Sequence, residues 1–280
     1  NRRGFFISIL ECSNISKCYS LNKNDSFNAL NDVNLSFPSS GLVVILGKSG
    51  SGKTTLLNIL AGIDKPTKGE IKVFNKPTTK WKEKNVCEFR QRISSYLFQD
   101  YQLLEDESAL DNVILPLIIA GYSRKNAVKQ ADILFKKFDF PTEIYSQKVK
   151  LLSGGEKQRI GLIRALITNP KIIFADEPTG ALDRKNALYV CETLKQISEK
   201  RLVIVVTHDD ELFRKYADRI IRISNGIIIS DLHINEVDNG IPYVKNKSKK
   251  KDPTETLFSK FIVLSPLSNP IRKSPTLTIS

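Results

Sequence analysis

"LVVILGKSGSGKTTLLNILAGI", residues 42–63, decides the fold. It opens on five apolar residues, a run short enough for a buried strand. From Lys53 onward, Leu56, Leu57, Ile59 and Leu60 recur at helical spacing. Between strand and helix lies GKSGSGKTT, which fits the spacing G-x-x-x-x-G-K-[ST] of a phosphate-binding loop. Each residue type has a chemical reason. Gly47, Gly50 and Gly52 permit backbone angles that turn successive N–H groups toward one point. Lys53 brings positive charge to β- and γ-phosphates, and the Thr54 hydroxyl is placed to ligate Mg2+. The expected nucleotide-binding set is Gly47, Lys48, Ser49, Gly50, Ser51, Gly52, Lys53, Thr54 and Thr55.

A matching acidic half lies downstream. "KIIFADEP", residues 171–178, is a buried strand ending on Asp176 and Glu177, with Pro178 stopping it. Asp176 is the expected Mg2+ partner. Glu177 is placed to polarise an attacking water as general base. Gln99 closes the strand "ISSYLF", and His208 follows "LVIVVT". Both reach a γ-phosphate if their strands flank the loop-bearing one, because ligands bind at the carboxyl ends of such strands. Gln99 is also an expected metal contact. A second glycine pair, in "LSGGEKQR" at residues 152–159, opens another helix without a lysine or metal ligand of its own. Ser153, Gly154 and Gly155 offer neutral donors and a helix dipole to a phosphate.

Around these motifs the pattern alternates. Strands read at "FFISILEC", "DVNLSF" and "GEIKVFN", helices at "SALDNVILPLIIAG", "RKNAVKQADILFKKF" and "GEKQRIGLIRALI", then strands again to a hairpin turning at Asn225–Gly226. Alternating strands and helices predict an α/β fold with a mostly parallel sheet, interrupted by a helical insertion.

In their order, residues 47–54, Gln99, "LSGGEKQR", "IIFADE", "GALD" at 180–183 and His208 resemble the nucleotide-binding subunit of ATP-binding cassette (ABC) transporters. The resemblance covers about residues 10–231. "ADEPTGALD", "LPLIIAG" and "ILAGIDKPTKGEI" look most like the branch that serves macrolide, lipoprotein and bacitracin-type permeases. It implies a P-loop NTPase (RecA-like) core with an N-terminal antiparallel β subdomain and an inserted α-helical subdomain. The implied division is an ATPase domain over 1–240, with core 1–98 and 169–240 and helical part 99–168. It also implies ATP and Mg2+ as cofactors, and Tyr19 as the aromatic that stacks on adenine. "LSGG" is implied to face the ATP of a second copy, with Asp183 joining the two sites across a homodimer. The implied partner is a transmembrane permease, separate or fused, at the cytoplasmic face of the membrane. Lys48, "EKQR" and Ile163 depart from the usual pattern, but none removes a chemical group.

Composition is ordinary for a globular protein: 280 residues, 41% hydrophobic and 26% charged. Four scattered cysteines, without metal or redox spacing, read as reduced and structural. The longest apolar run, residues 113–120, is too short to span a bilayer. No Met occurs anywhere, so the expectation is a piece of something longer. Net charge is +13, and from Pro242 onward eight Lys/Arg face two acids, so residues 241–280 read as a basic, Ser/Pro-rich linker or tail. No aromatics interleave those lysines, and nucleic acid is not an expected partner. A DNA-repair ATPase is disfavoured because the insertion lacks coiled-coil heptads. The alternative kept open is a regulatory ATPase of the cell-division type, which signals through a permease-like partner without transport.

Overall fold

The computed structural model describes residues 8–20, 25–180 and 182–234. The expected tail at 241–280 lies outside the described residues. The chain begins with strands β1 (Leu10–Ser20), β2 (Ser26–Phe37) and β3 (Gly41–Leu46), then helix α1 (Lys53–Leu60) and strands β4 (Lys68–Val73) and β5 (Lys76–Pro77). Helix α2 (Glu83–Glu88) and one π-helical turn lead into β6 (Ser94–Leu97). Three helices follow: α3 (Ala109–Ile119), α4 (Arg124–Lys137) and α5 (Gly154–Leu166). The chain then runs through β7 (Ile172–Asp176), α6 (Arg184–Ser198), β8 (Leu202–Thr207), α7 (Asp210–Arg214), β9 (Arg219–Ser224) and β10 (Ile227–His233).

These strands form two sheets. Six lie in the order β10-β9-β3-β8-β7-β6, parallel except for the β9–β10 hairpin. Four form an antiparallel sheet in the order β2-β1-β4-β5. The parallel strands are apolar runs because both faces are covered: every residue of β8 is buried, and five of the six in β3. In β2 the pattern alternates from Asp32 onward, as a one-sided sheet requires.

Helix α1 lies between the two sheets. Leu56, Leu57, Ile59 and Leu60 join one core with Val43, Ile45, Phe174 and Ile204 of the large sheet and Leu10, Ile15 and Ile71 of the small one. Each such side chain contributes about 1.5–3 kcal/mol of burial. The opening motif is thereby held from both sides. In the insertion, Ser108 and Ser123 cap α3 and α4 by accepting from the N–H groups of Asp111 and Asn126. Of the apolar run at 113–120, Val113, Ile114 and Leu117 are core, while Ile118 and Ile119 are exposed. The run is therefore divided between core and surface.

Candidate functional site

Helix α1 begins without a cap. Its N-cap is Gly52 at φ +101°, with no side-chain hydrogen bond and no acid in the first turn. The first-turn N–H groups therefore face outward with the positive end of the dipole, a ready anion site. The loop before them is fixed by close packing. A Cβ on Gly52 would stand 2.5 Å from the carbonyl oxygen of Ala29, and one on Gly47 would stand 2.5 Å from that of Ile223. The Gly226 N–H donates to the Ser51 carbonyl at 3.0 Å, and the Asn31 N–H to the Gly226 carbonyl at 2.9 Å. The β9–β10 turn thus pins the loop to β2. Lys53 folds back over it, its Nζ donating to the carbonyls of Gly47 (2.8 Å) and Lys48 (3.0 Å). Lys48, Ser49 and Gly50 are exposed, whereas the Ser51 hydroxyl is buried without a partner.

Two carboxylates meet this loop from β7. Asp176 accepts from the Thr54 hydroxyl at 3.1 Å and from the Tyr96 hydroxyl at 3.4 Å. Burial pushes its carboxyl above the usual range; the two hydroxyls oppose that, and the Glu177 charge adds to it. A half-buried carboxylate beside a hydroxyl oxygen is a hard-oxygen donor pair suited to Mg2+, so the residues present fit the metal. Glu177 sits at φ +43°, a left-handed conformation uncommon for a side-chain-bearing residue. Its N–H still reaches the Val206 carbonyl at 2.9 Å. Its carboxylate is aimed from three sides. The Thr207 hydroxyl donates to Oε2 at 3.0 Å, His208 Nδ1 lies 3.0 Å from both oxygens, and Lys53 Nζ stands 4.0 Å from Oε1. Gln99 belongs to the same cluster: a Cβ on Gly180 would lie 3.7 Å from the Glu177 Cβ and 3.9 Å from Gln99 Nε2.

The second glycine pair is built differently. Ser153 caps α5 in a reciprocal box. Its N–H and hydroxyl donate to Glu156 Oε2 at 2.8 and 2.7 Å, and its Oγ accepts from the Glu156 N–H at 3.4 Å. The N–H groups of Gly154 and Gly155 remain as orphans of the first turn. Ser153 and Gly154 are exposed, and no described hydrogen bond joins them to residues 47–55. Gly155 packs on Asn186, whose backbone and side chain both donate to Asp183, the N-cap of α6. These bonds hold the Asp183 carboxyl below its usual range.

Tyr19, 38% exposed, lies on β1 with its side chain close to Thr55 in the first turn of α1. Its hydroxyl donates to Asp64 at 2.8 Å, and Lys17 Nζ sits 4.8 Å from the ring centroid. Thr55, one residue past the loop, is half-buried.

Sequence reasoning brought Lys53, Thr54, Asp176, Glu177, His208 and Gln99 to one place, and the structure groups them, but of the two strands expected to flank β3 only β8 does so; β6, which leads to Gln99, lies at the sheet edge beyond β7. It missed Thr207, Tyr96, Asn58, Asn186 and Asp64. Only Thr207 carried a signal, being the polar end of a strand whose every other residue is apolar.

Comparison with known proteins follows the same lines. The ABC transporter family matches residues 30–180. The chain is similar to the bacitracin export ATP-binding protein BceA of Halalkalibacterium halodurans, 42% identical over 233 residues, which is 81% of this chain and 89% of that protein. It is similar also to the macrolide export ATP-binding/permease protein MacB of Bartonella henselae, 37% identical across 84% of this chain but only 34% of that protein. Among solved structures, the dimeric post-hydrolysis state of the ATP-binding cassette MJ0796 bound to ADP and Pi aligns at TM-score 0.74 and 34% identity, covering 81% of this chain and 99% of that one. The fold is thus that of a P-loop NTPase cassette. The chain belongs to the ABC transporter family and is an ATPase, an ATP-binding subunit of the branch that holds the bacitracin- and macrolide-export proteins.

Proposed function

We propose that two copies of this chain close head to tail around two MgATP molecules and that hydrolysis reopens them to drive a membrane permease. The observation that carries the reading is the Glu177 carboxylate, held by Thr207 and His208 and facing Lys53 across 4.0 Å. In this reading the α1 amides and Lys53 bind the phosphates, and Tyr19 stacks on adenine. Glu177 orients the attacking water and takes its proton while His208 steadies the pair. Thr54 and Asp176, with Gln99 beside them, hold Mg2+, which supplies positive charge to the phosphoryl oxygens. Ser153, Gly154 and Gly155 complete the partner copy's site, and Asp183 helps join the two across the interface.

The permease surface is assigned to a cleft of about 330 Å³ between β6 and the insertion, lined by Arg90, Tyr96, Phe98, Leu115, Ile119 and Arg164. Ile119 is exposed there, adding apolar surface to a cleft that also holds two arginines. Such a cleft suits a short segment of a permease. Among the described residues no helix is long and apolar enough to cross a membrane, so the reading places the chain against a separate or fused permease at the cytoplasmic face. The reading keeps the ATPase domain at 1–240, with the helical part at 99–168.

Replacing Glu177 with Gln tests the core of it. Turnover should fall by roughly a hundredfold or more, since a general base contributes about that. ATP binding should survive, and sizing chromatography should show a trapped dimer. Hydrolysis at the normal rate would remove Glu177 from the role.

A further inference from the structure

Tyr96 stands between the two surfaces the proposed function uses. Its ring is a wall of the cleft beside β6, stacked on Phe98 with centroids 4.4 Å apart. Its hydroxyl leaves the cleft and enters the site, where its one proton is shared between Asn58 Oδ1 of α1 at 2.8 Å and Asp176 Oδ2 at 3.4 Å. Neither neighbour is loosely placed. Asn58 is on the helix that the phosphate loop opens, and Asp176 is held at its other oxygen by Thr54. A carboxylate bonded at one oxygen still swings about its Cβ–Cγ bond, because that terminal torsion is soft. A second donor on the other oxygen fixes the plane. Tyr96 supplies it, and among the described residues no other hydrogen bond reaches Asp176 Oδ2.

We infer that Tyr96 is a positioning residue for the metal-binding carboxylate: its hydroxyl, braced by Asn58, orients Asp176, while its ring forms part of the cleft wall. The inference rests on the proposed MgATP reading.

Tyr96→Phe is the variant of choice. It removes one oxygen and leaves the ring and its packing on Phe98 in place, so the fold should be retained. The measurement is the affinity for a fluorescent, non-hydrolysable ATP analogue, taken once with excess Mg2+ and once with EDTA. The ratio of the two is the gain that the metal brings. In Tyr96→Phe the EDTA affinity should match wild type within about twofold, and the metal gain should shrink by about fivefold, the net size of one ordinary hydrogen bond. An unchanged gain overturns the inference and leaves the proposed function standing. Equal losses with and without Mg2+ also overturn it, because they mark general damage to the loop. If wild type itself gains nothing from Mg2+, the metal reading falls and this inference falls with it.

Discussion

Two glycine-bearing helix starts, both shaped for a phosphate, are finished in opposite ways. Helix α1 begins at a glycine with no cap, so its amides stay open, and Gly47 and Gly52 of its loop are packed against the backbone of Ile223 and Ala29. Helix α5 begins at Ser153 with a complete capping box, and nothing lies within 4 Å of where a Cβ on Gly154 would be. The first loop is an anion site held by its surroundings. The second is a finished helix terminus lying on open surface. A helix start that needs no ligand for its own stability, yet carries exposed glycines, makes sense as the lid of a neighbour's site.

The sharpest way to break that contrast is to add a methyl group to each loop. Gly52→Ala forces a Cβ to 2.5 Å from a backbone oxygen at a φ of +101°, and should cost about 3 kcal/mol or more. Calorimetry should show a clear drop in Tm together with lost nucleotide binding. Gly154→Ala meets open space and replaces a glycine within a helix, so stability should hold or rise by at most about 1 kcal/mol. Turnover should nonetheless fall about tenfold if that surface closes on a phosphate. Full activity in Gly154→Ala would make the second loop merely structural.

Ser153→Ala probes the cap itself. Loss of the box should cost about 1 kcal/mol. It should also alter acid stability. Hydrogen bonds from Ser153 hold the Glu156 carboxyl below its ordinary value of 4.5. That stabilisation is present above 4.5 and disappears as pH falls through the lower folded value. In Ser153→Ala this part of the acid limb should flatten, as a melting series below pH 5 would show. A limb of unchanged shape would separate Glu156 from Ser153.

The smallest effect concerns charge. Glu156→Gln keeps the capping box but removes a negative charge beside the proposed phosphate position. The apparent KM for ATP should fall by about twofold at low salt, and the difference should fade at high salt. A rise in KM would place the phosphate elsewhere.

How much of this was legible in the sequence varies with the physics. The phosphate loop was legible because glycine spacing, a lysine and a hydroxyl are local demands on local backbone. The strands carrying Asp176 and His208 were legible because a parallel sheet buried on both faces leaves unbroken apolar runs. Residues 83–93, a short helix and a π-turn, carry no apolar period, and only Phe89 among them is buried. The Tyr96 hydroxyl on Asp176 and the Asn186 amide against Gly155 join residues 80 and 31 positions apart. Such contacts exist only once sheet order and helix packing have set them, so no spacing announces them. Glu177 was found from its type and place, but its left-handed backbone was not, because the preceding strand gives no sign of it.

Mixing two dead chains tests the central claim most directly. Lys53→Ala spoils a copy's own phosphate loop and leaves its Ser153 loop whole; Ser153→Arg does the reverse. Each alone should hydrolyse almost no ATP. Mixed in equal amounts, random two-fold pairing makes about half the dimers mixed, each with one intact composite site, so about a quarter of wild-type turnover should return. A mixture as inactive as its parts would mean that the second loop does not serve the partner's nucleotide.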